Sequence, residues 1–244
     1  MQLLGSLVFT ACLFLSVPVY ATLVLLSAPL PHRLRYRIVL WWVDLILWLL
    51  KILCRLDYEV EGAEHIPDRP GIVFWKHSSA WETIAQCRIF PIQTWVLKRE
   101  LMWAPFLGWA LALLKPIAIQ RGAGRSAVEQ VLEQGRRRLG DGLWVAIFPE
   151  GTRVTPGTTR RYGISGALLA GKAGRPIVPV AHNAGDFWPR RGLMKRPGTV
   201  RVCIGPPIET AGREVPDINA EVQGWIEGRM AQISRHYARL PDAS

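Results

Sequence analysis

The chain has 244 residues, half of them hydrophobic, and 30 Lys and Arg against 19 Asp and Glu give a formal net charge of +11. That length suits one large domain, or one domain with a membrane anchor. The basic excess asks for an anionic partner, and 11 tryptophans among the Arg and Lys residues fit a lipid–water interface; with no zinc-finger spacing, RNA-binding aromatic pattern or helix-turn-helix pair, no nucleic acid is expected.

Residues 2–31 carry no charged side chain and exceed the roughly 20 residues that cross a bilayer. No Lys or Arg precedes the run and no small-x-small site follows it, so it reads as an anchor rather than a cleaved signal. Pro18 predicts a kink or a re-entrant turn. A second apolar stretch, Ile38 to Leu53, contains Asp44 and Lys51 together with Trp41, Trp42 and Trp48. It reads as a second span, an interfacial helix or a buried core helix. Arg33, Arg35 and Arg37 on one flank, and Lys51 and Arg55 on the other, place both flanks on the cytoplasmic side. The expected division is a membrane-anchoring two-helix segment over 1–55 and an α/β domain over 56–244.

Within the second part, strands are predicted at 56–60, 70–75, 115–121, 143–149, 176–182 and 199–205, and 94–101 reads as a strand running into the start of a helix. Helices are predicted at 80–89, 105–114, 126–139, 162–172 and 217–236. Strands alternating with helices give an α/β fold. The nearly all-apolar strands at 70–75 and 143–149 call for a mixed or mostly parallel sheet flanked by helices on both faces.

Four segments carry candidate chemistry. His77 follows the apolar strand 70–75 directly, in W-K-H-S-S-A-W-E. Ser78 and Ser79 are candidate caps for the next helix, which puts Glu82 in its early turns. Two helical residues five apart do not point the same way, but a histidine in the turn before the helix can fold back to meet a long Glu. On spacing alone, an ordinary surface histidine accounts for the pattern equally well. The segment F-P-E-G-T-R at 148–153 places Glu150, Gly151, Thr152 and Arg153 in a tight turn after a buried strand, where exposed N–H groups and a guanidinium suit a phosphate. Arg121 ends the short strand I-A-I-Q-R and would add a second guanidinium at the same crevice. Pro179 interrupts the strand I-V-P-V, which predicts an edge, a bulge or close approach of a ligand.

These segments, in this order, resemble the glycerolipid and lysophospholipid acyltransferase family, which includes the 1-acylglycerol-3-phosphate acyltransferases. The family's first motif is His, four residues, then an acid, usually Asp; here Glu82 takes that place. F-P-E-G-T-R matches the third motif completely, and the segments ending at Arg121 and around Pro179 resemble the second and fourth. The resemblance implies His77 as general base oriented by Glu82. It implies Glu150, Gly151 and Arg153, with Arg121, shaping the site and binding the acceptor phosphate, and Thr152 and Pro179 lying beside them. It implies an acyl-CoA or acyl-carrier-protein donor, a lysophosphatidate acceptor yielding phosphatidic acid, no cofactor and no metal. It also implies attachment to the bacterial inner membrane with the active domain on the cytoplasmic side. Other lysophospholipids, glycerol 3-phosphate and a lyso-ornithine lipid remain alternative acceptors. Two further alternatives are a non-catalytic lipid-binding protein and a hydrolase using Ser78 or Ser79, although neither serine lies in a GxSxG elbow. The four cysteines, Cys12, Cys54, Cys87 and Cys203, form no CxxC pair and predict neither disulfides nor zinc. For the acyl chain, the candidates are Trp81, Trp95, Trp103, Phe106 and Trp109, and the basic loop 187–196 is a candidate contact with anionic lipid.

Overall fold

A computed structural model describes residues 1–120 and 122–237. The chain opens with two long helices, α1 (Gln2–Leu26) and α2 (His32–Cys54). The remaining helices are α3 (Trp81–Ile89), α4 (Leu107–Leu113), α5 (Arg125–Gly140), α6 (Ile164–Ala173), α7 (Ala184–Phe187) and α8 (Val215–Ile233). The strands are β1 (Leu56–Glu61), β2 (Ile72–Trp75), β3 (Gln93–Lys98), β4 (Ile117–Ile119), β5 (Trp144–Ile147), β6 (Ile177–His182) and β7 (Gly198–Ile204).

They form one sheet in the order β1-β7-β6-β2-β5-β3-β4. Strands β2 to β6 are mutually parallel, while β1 and β7 run together in the opposite sense. The mixed, mostly parallel α/β reading therefore holds. Its cause is visible in the central strands: every residue of β2, β5 and β6 is buried, and only a sheet covered on both faces hides two successive side chains. On one face Val73, Trp75, Trp144 and Val180 share a core with α2 and α3. On the other, Ile72, Phe74, Val145 and Ile177 share a core with α5, α6 and α8.

Helix α2 has a buried inner face, as a core helix would. Tyr36, Val43, Ile46, Leu50 and Cys54 are buried in the first core, whereas Trp41, Trp48 and Ile52 are exposed. Helix α1 is long and apolar enough to cross a membrane. It runs unbroken through Pro18, so the re-entrant turn is not formed. Both its ends touch the rest of the chain. Gln2 donates to the Cys54 and Lys195 carbonyls, and Ser6 accepts the Lys195 N–H. At the far end Ala21 and Val24 pack on Ala110 and Leu114 of α4. Its outer face carries Leu3, Leu4, Leu7, Phe14 and Leu15, all exposed.

Helix α6 lies close on β2 and β5 because Gly166 has no side chain. A Cβ there would sit 2.5 Å from the Phe74 ring and 3.1 Å from Ile147 Cδ1. Gly166→Ala is expected to destabilise the fold by about 1–3 kcal/mol through overpacking; an unchanged midpoint in urea unfolding would show that α6 has room to move.

Candidate active site

The parallel strands deliver the sequence-predicted residues to one edge of the sheet, at their carboxyl ends, where open α/β sheets hold their ligands. His77 lies two residues past β2, Glu150 to Arg153 follow β5, and Lys98 ends β3.

Around His77 the backbone is held on every side. Its N–H donates to Glu150 Oε2 at 2.8 Å, and its carbonyl accepts the Val154 N–H at 2.8 Å. The preceding Lys76 N–H donates to the Val180 carbonyl at 3.0 Å. The imidazole stacks on Phe148, with ring centroids 4.0 Å apart and planes 21° apart. Nδ1 meets Glu82 Oε1 at 2.9 Å. A carboxylate can only accept there, so the proton sits on Nδ1 and Nε2 keeps its lone pair.

Glu82 reaches the ring because its side chain folds back over the start of α3. The same Oε1 accepts the N–H groups of Ser78 at 3.1 Å and Ser79 at 2.9 Å, both in the turn that leads into the helix. The carboxylate thus fixes the turn before α3 and orients His77 at once. Burial alone would push this carboxyl up, but His182, His77 and the Ser79 N–H outweigh it and hold it below the usual range. Ser79 does not cap through the expected pattern. Its Oγ accepts the Trp81 N–H and donates to the Trp188 carbonyl. With that proton committed, and with Ser78 Oγ buried against Gly185 without a hydrogen-bond partner among the described residues, neither serine is arranged as a nucleophile.

His77 opens onto a cavity of about 390 Å³ that Thr152, Arg153, Lys98 and Arg190 also line. Arg153 Nε is buried without a hydrogen-bond partner among the described residues. Arg190 braces it by donating to its carbonyl at 2.8 Å. Lys98 and Arg190 were missed as site residues by sequence reasoning, because each lies in a run of basic residues with no mark of which one turns inward. Trp95, Leu101, Leu111 and Phe148 form the apolar wall. A second cavity of about 250 Å³ shares Thr83, Trp95 and Leu111 with the first and runs between α1, α2, α3 and α4. Of the aromatic candidates only Trp95 lines either space. Trp81 is core, whereas Trp103, Phe106 and Trp109 are exposed.

Three expectations need correction. Glu150 does not face the cavity: its two oxygens are taken by the His77 N–H and by Lys76 Nζ at 2.7 Å. Pro179 is not in the site, nor on an edge. It sits in central β6 beside Gly205 and Trp225, on the α8 side of the sheet. The strand tolerates it because the pairing of β6 with β7 covers only Val180 to His182. Gly151, at φ 70°, supplies the left-handed turn, but its own N–H is spent on the Phe148 carbonyl at 3.0 Å. Arg121 lies outside the described residues. Among the described residues no group of three or more His, Cys, Asp or Glu side chains is placed to hold a metal ion.

Beneath the site, on the α8 side, Lys76 Nζ is sealed from water between Glu150 and Glu227 of α8, each at 2.7 Å, and the Thr158 carbonyl at 3.0 Å. Burial pushes the Glu150 carboxyl up to about 7 despite this cation. Lys76→Met leaves the two carboxylates facing each other without their cation, at an expected cost of about 3–5 kcal/mol. Because the Glu150 pKa is raised, its protonated form favours the fold at low pH, and that contribution is lost as pH rises through about 7. Lys76 lowers that pKa, so in the variant the loss continues above about pH 7; its stability deficit should widen there in denaturant titrations, and a pH-independent deficit would contradict this assignment.

The family model described as Acyltransferase matches residues 57–183. A 1-acyl-sn-glycerol-3-phosphate acyltransferase of Pseudomonas aeruginosa is 43% identical over 238 residues, 96% of this chain and 93% of that protein. The human 1-acyl-sn-glycerol-3-phosphate acyltransferase alpha is 31% identical over 179 residues, 72% of this chain and 63% of that protein. A crystal structure of the 1-acyl-sn-glycerophosphate (LPA) acyltransferase from Thermotoga maritima has the same fold, with a TM-score of 0.78 over 95% of each chain at 23% identity. With a family model covering more than half of its residues and a bacterial relative matching nearly its whole length, the chain belongs to the acyltransferase family.

Proposed function

We propose that this chain transfers a long acyl group from an acyl thioester to the free hydroxyl of 1-acylglycerol 3-phosphate, giving phosphatidic acid. The observation that carries this reading is the His77–Glu82 pair, whose free Nε2 faces a cavity rimmed by Lys98, Arg153 and Arg190. The relatives in Pseudomonas and human, named for this acceptor, support it.

In this mechanism the acceptor phosphate binds the guanidinium and ammonium groups at the rim, and Arg153 offers it an unpaired, partly desolvated donor. The acceptor hydroxyl gives its proton to His77 Nε2 as its oxygen attacks the thioester carbonyl carbon. Glu82, held as a carboxylate, balances the imidazolium. The N–H groups of Thr152 and Arg153 lie in the turn beside the cavity and serve as donors to the tetrahedral oxyanion. On collapse the C–S bond breaks, and the leaving thiolate takes the proton back from His77. No covalent enzyme intermediate and no cofactor is involved; the donor, acyl-CoA or acyl-carrier protein, is a substrate. The apolar cavity between α1, α2, α3 and α4 takes the acyl chain.

The hairpin of α1 and α2 serves as the membrane attachment, with the catalytic part on the cytoplasmic side. Both ends of α1 touch the same domain, which favours a helix lying in one leaflet over one that crosses the bilayer. Exposed Leu193 and Met194 of the basic loop 187–196 extend the same apolar surface toward anionic lipid.

The test is acyl transfer to labelled lysophosphatidate by purified protein in detergent or vesicles. With an acyl-CoA donor, His77→Ala should lower kcat by about 10²–10⁴-fold. Arg153→Ala should raise KM for lysophosphatidate about tenfold or more while sparing KM for the donor. Product formed equally well by His77→Ala would sink the reading, and wild-type activity only with acyl-carrier-protein donors would change the donor alone. In the same assay Ala110→Leu, which narrows the apolar cavity, should shift preference toward shorter acyl chains by about 0.8 kcal/mol, roughly fourfold, per methylene displaced; an unchanged chain-length profile would place the chain elsewhere.

A further inference from the structure

A second histidine stands behind the first. His182 closes β6, three residues beyond Pro179, and is fully buried. Its Nδ1 lies 3.3 Å from the Ala184 N–H, which can only donate, so Nδ1 is the acceptor and the ring proton is on Nε2. That Nε2–H donates to the Lys76 carbonyl at 2.7 Å. Trp75 and Trp81 flank the ring, each with a centroid 6.0 Å away, and leave it one orientation. Burial lowers its pKa, against the opposing pull of the Glu82 carboxylate.

The Lys76 carbonyl and the His77 N–H belong to a single peptide unit. His182 grips one end of it, and Glu150 Oε2 grips the other at 2.8 Å. The same His182 Nε2 lies 3.8 Å from Glu82 Oε2. That oxygen is buried and makes no hydrogen bond among the described residues, while its partner Oε1 serves His77, Ser78 and Ser79. One buried N–H therefore touches the backbone that presents His77 and faces the open side of the carboxylate that orients it.

We propose that His182 is a positioning residue for acyl transfer: it fixes the peptide unit before His77 and turns a fixed N–H dipole toward the free oxygen of Glu82. This rests on the reading of His77 as base. The effect belongs in kcat, because His182 lines neither cavity and meets no substrate. A displacement of about 1 Å in a reacting group can cost on the order of 10²-fold in rate.

The experiment compares His182→Leu, His182→Gln and His182→Asn in the lysophosphatidate assay, with each rate divided by the folded fraction from a thermal melt. Leu fills the space without a donor. Gln carries an amide N–H to the position of Nε2, whereas Asn reaches only the position of Nδ1. Leu and Asn should lower kcat about 10- to 100-fold with both KM values within about threefold, and Gln should recover about tenfold of that loss. If Leu does not fold, the contrast between Gln and Asn decides. Equal kcat for Gln and Asn, or a loss confined to KM, or a kcat per folded molecule equal to wild type, would overturn the proposal. His77→Ala assayed in parallel separates the two readings. If it is inactive while His182→Leu matches wild type, only this inference falls; if it is fully active, the base assignment falls with it.

Discussion

An ammonium group cut off from water has to be met by negative charge, and in this chain that requirement falls on Lys76, one residue before His77. Its Nζ lies in a closed shell made by Glu150, Glu227 and the Thr158 carbonyl. An uncompensated charge there would cost several kcal/mol, so the shell has little freedom to open. The constraint propagates. Glu150, fixed by the cation on one oxygen, has its other oxygen free to hold the His77 N–H. Through Glu227 the same cation ties helix α8, late in the chain, to the end of β2. The strand end, the turn after β5 and the last helix are thus joined through one side chain.

That arrangement divides the characteristic segments into two kinds. Some of their residues meet the cavity: His77, Thr152 and Arg153, joined by Lys98 and Arg190. Others hold those residues in place from below: Lys76, Glu82, Glu150 and His182. For Lys76 and His77 the division follows from side-chain alternation along a strand and its continuation, in which neighbours point to opposite sides. Lys76 therefore faces α8 while His77 faces the cavity. In the proposed mechanism the first group supplies phosphate recognition and proton transfer. The second spends its charge on the protein itself, and a carboxylate such as Glu150 is suited to that task rather than to binding an anion.

Helices α1 and α2 complete the site as well as flanking it. The inner face of α2 belongs to the same core as β2, β5 and β6, and the apolar cavity lies between this hairpin and α3 and α4. Their outer faces present Leu, Phe and Trp to the surroundings. In the proposed mechanism an acyl chain lies in the apolar cavity between these helices, beside the cavity that His77 lines. In the proposed mechanism the anchor and the acyl channel are the same structure.

Much of this was legible in the residue order. The apolar runs at 70–75 and 143–149 called for a covered, mixed or mostly parallel sheet, because an alternating pattern was missing where a one-sided sheet would need it. A strand-to-helix turn allowed His77 to meet Glu82 without requiring it, and F-P-E-G-T-R marked a tight turn after a buried strand. What the linear sequence could not decide is which way each polar side chain points once several strands share an edge. Glu150 looked like part of a phosphate cradle and turned inward to Lys76. Pro179 looked like a ligand contact and faced α8, while His182, silent in sequence, arrived behind the pair because β6 lies next to β2. Lys98 and Arg190 were indistinguishable from other basic residues until β3 and the loop after α7 brought them to one rim. Local pattern determines strands, turns and their ends, since those depend on near neighbours. The partners of a buried charge are chosen by strand order, which brings together residues more than 70 positions apart, such as Lys76 with Glu150 and His182 with Lys76.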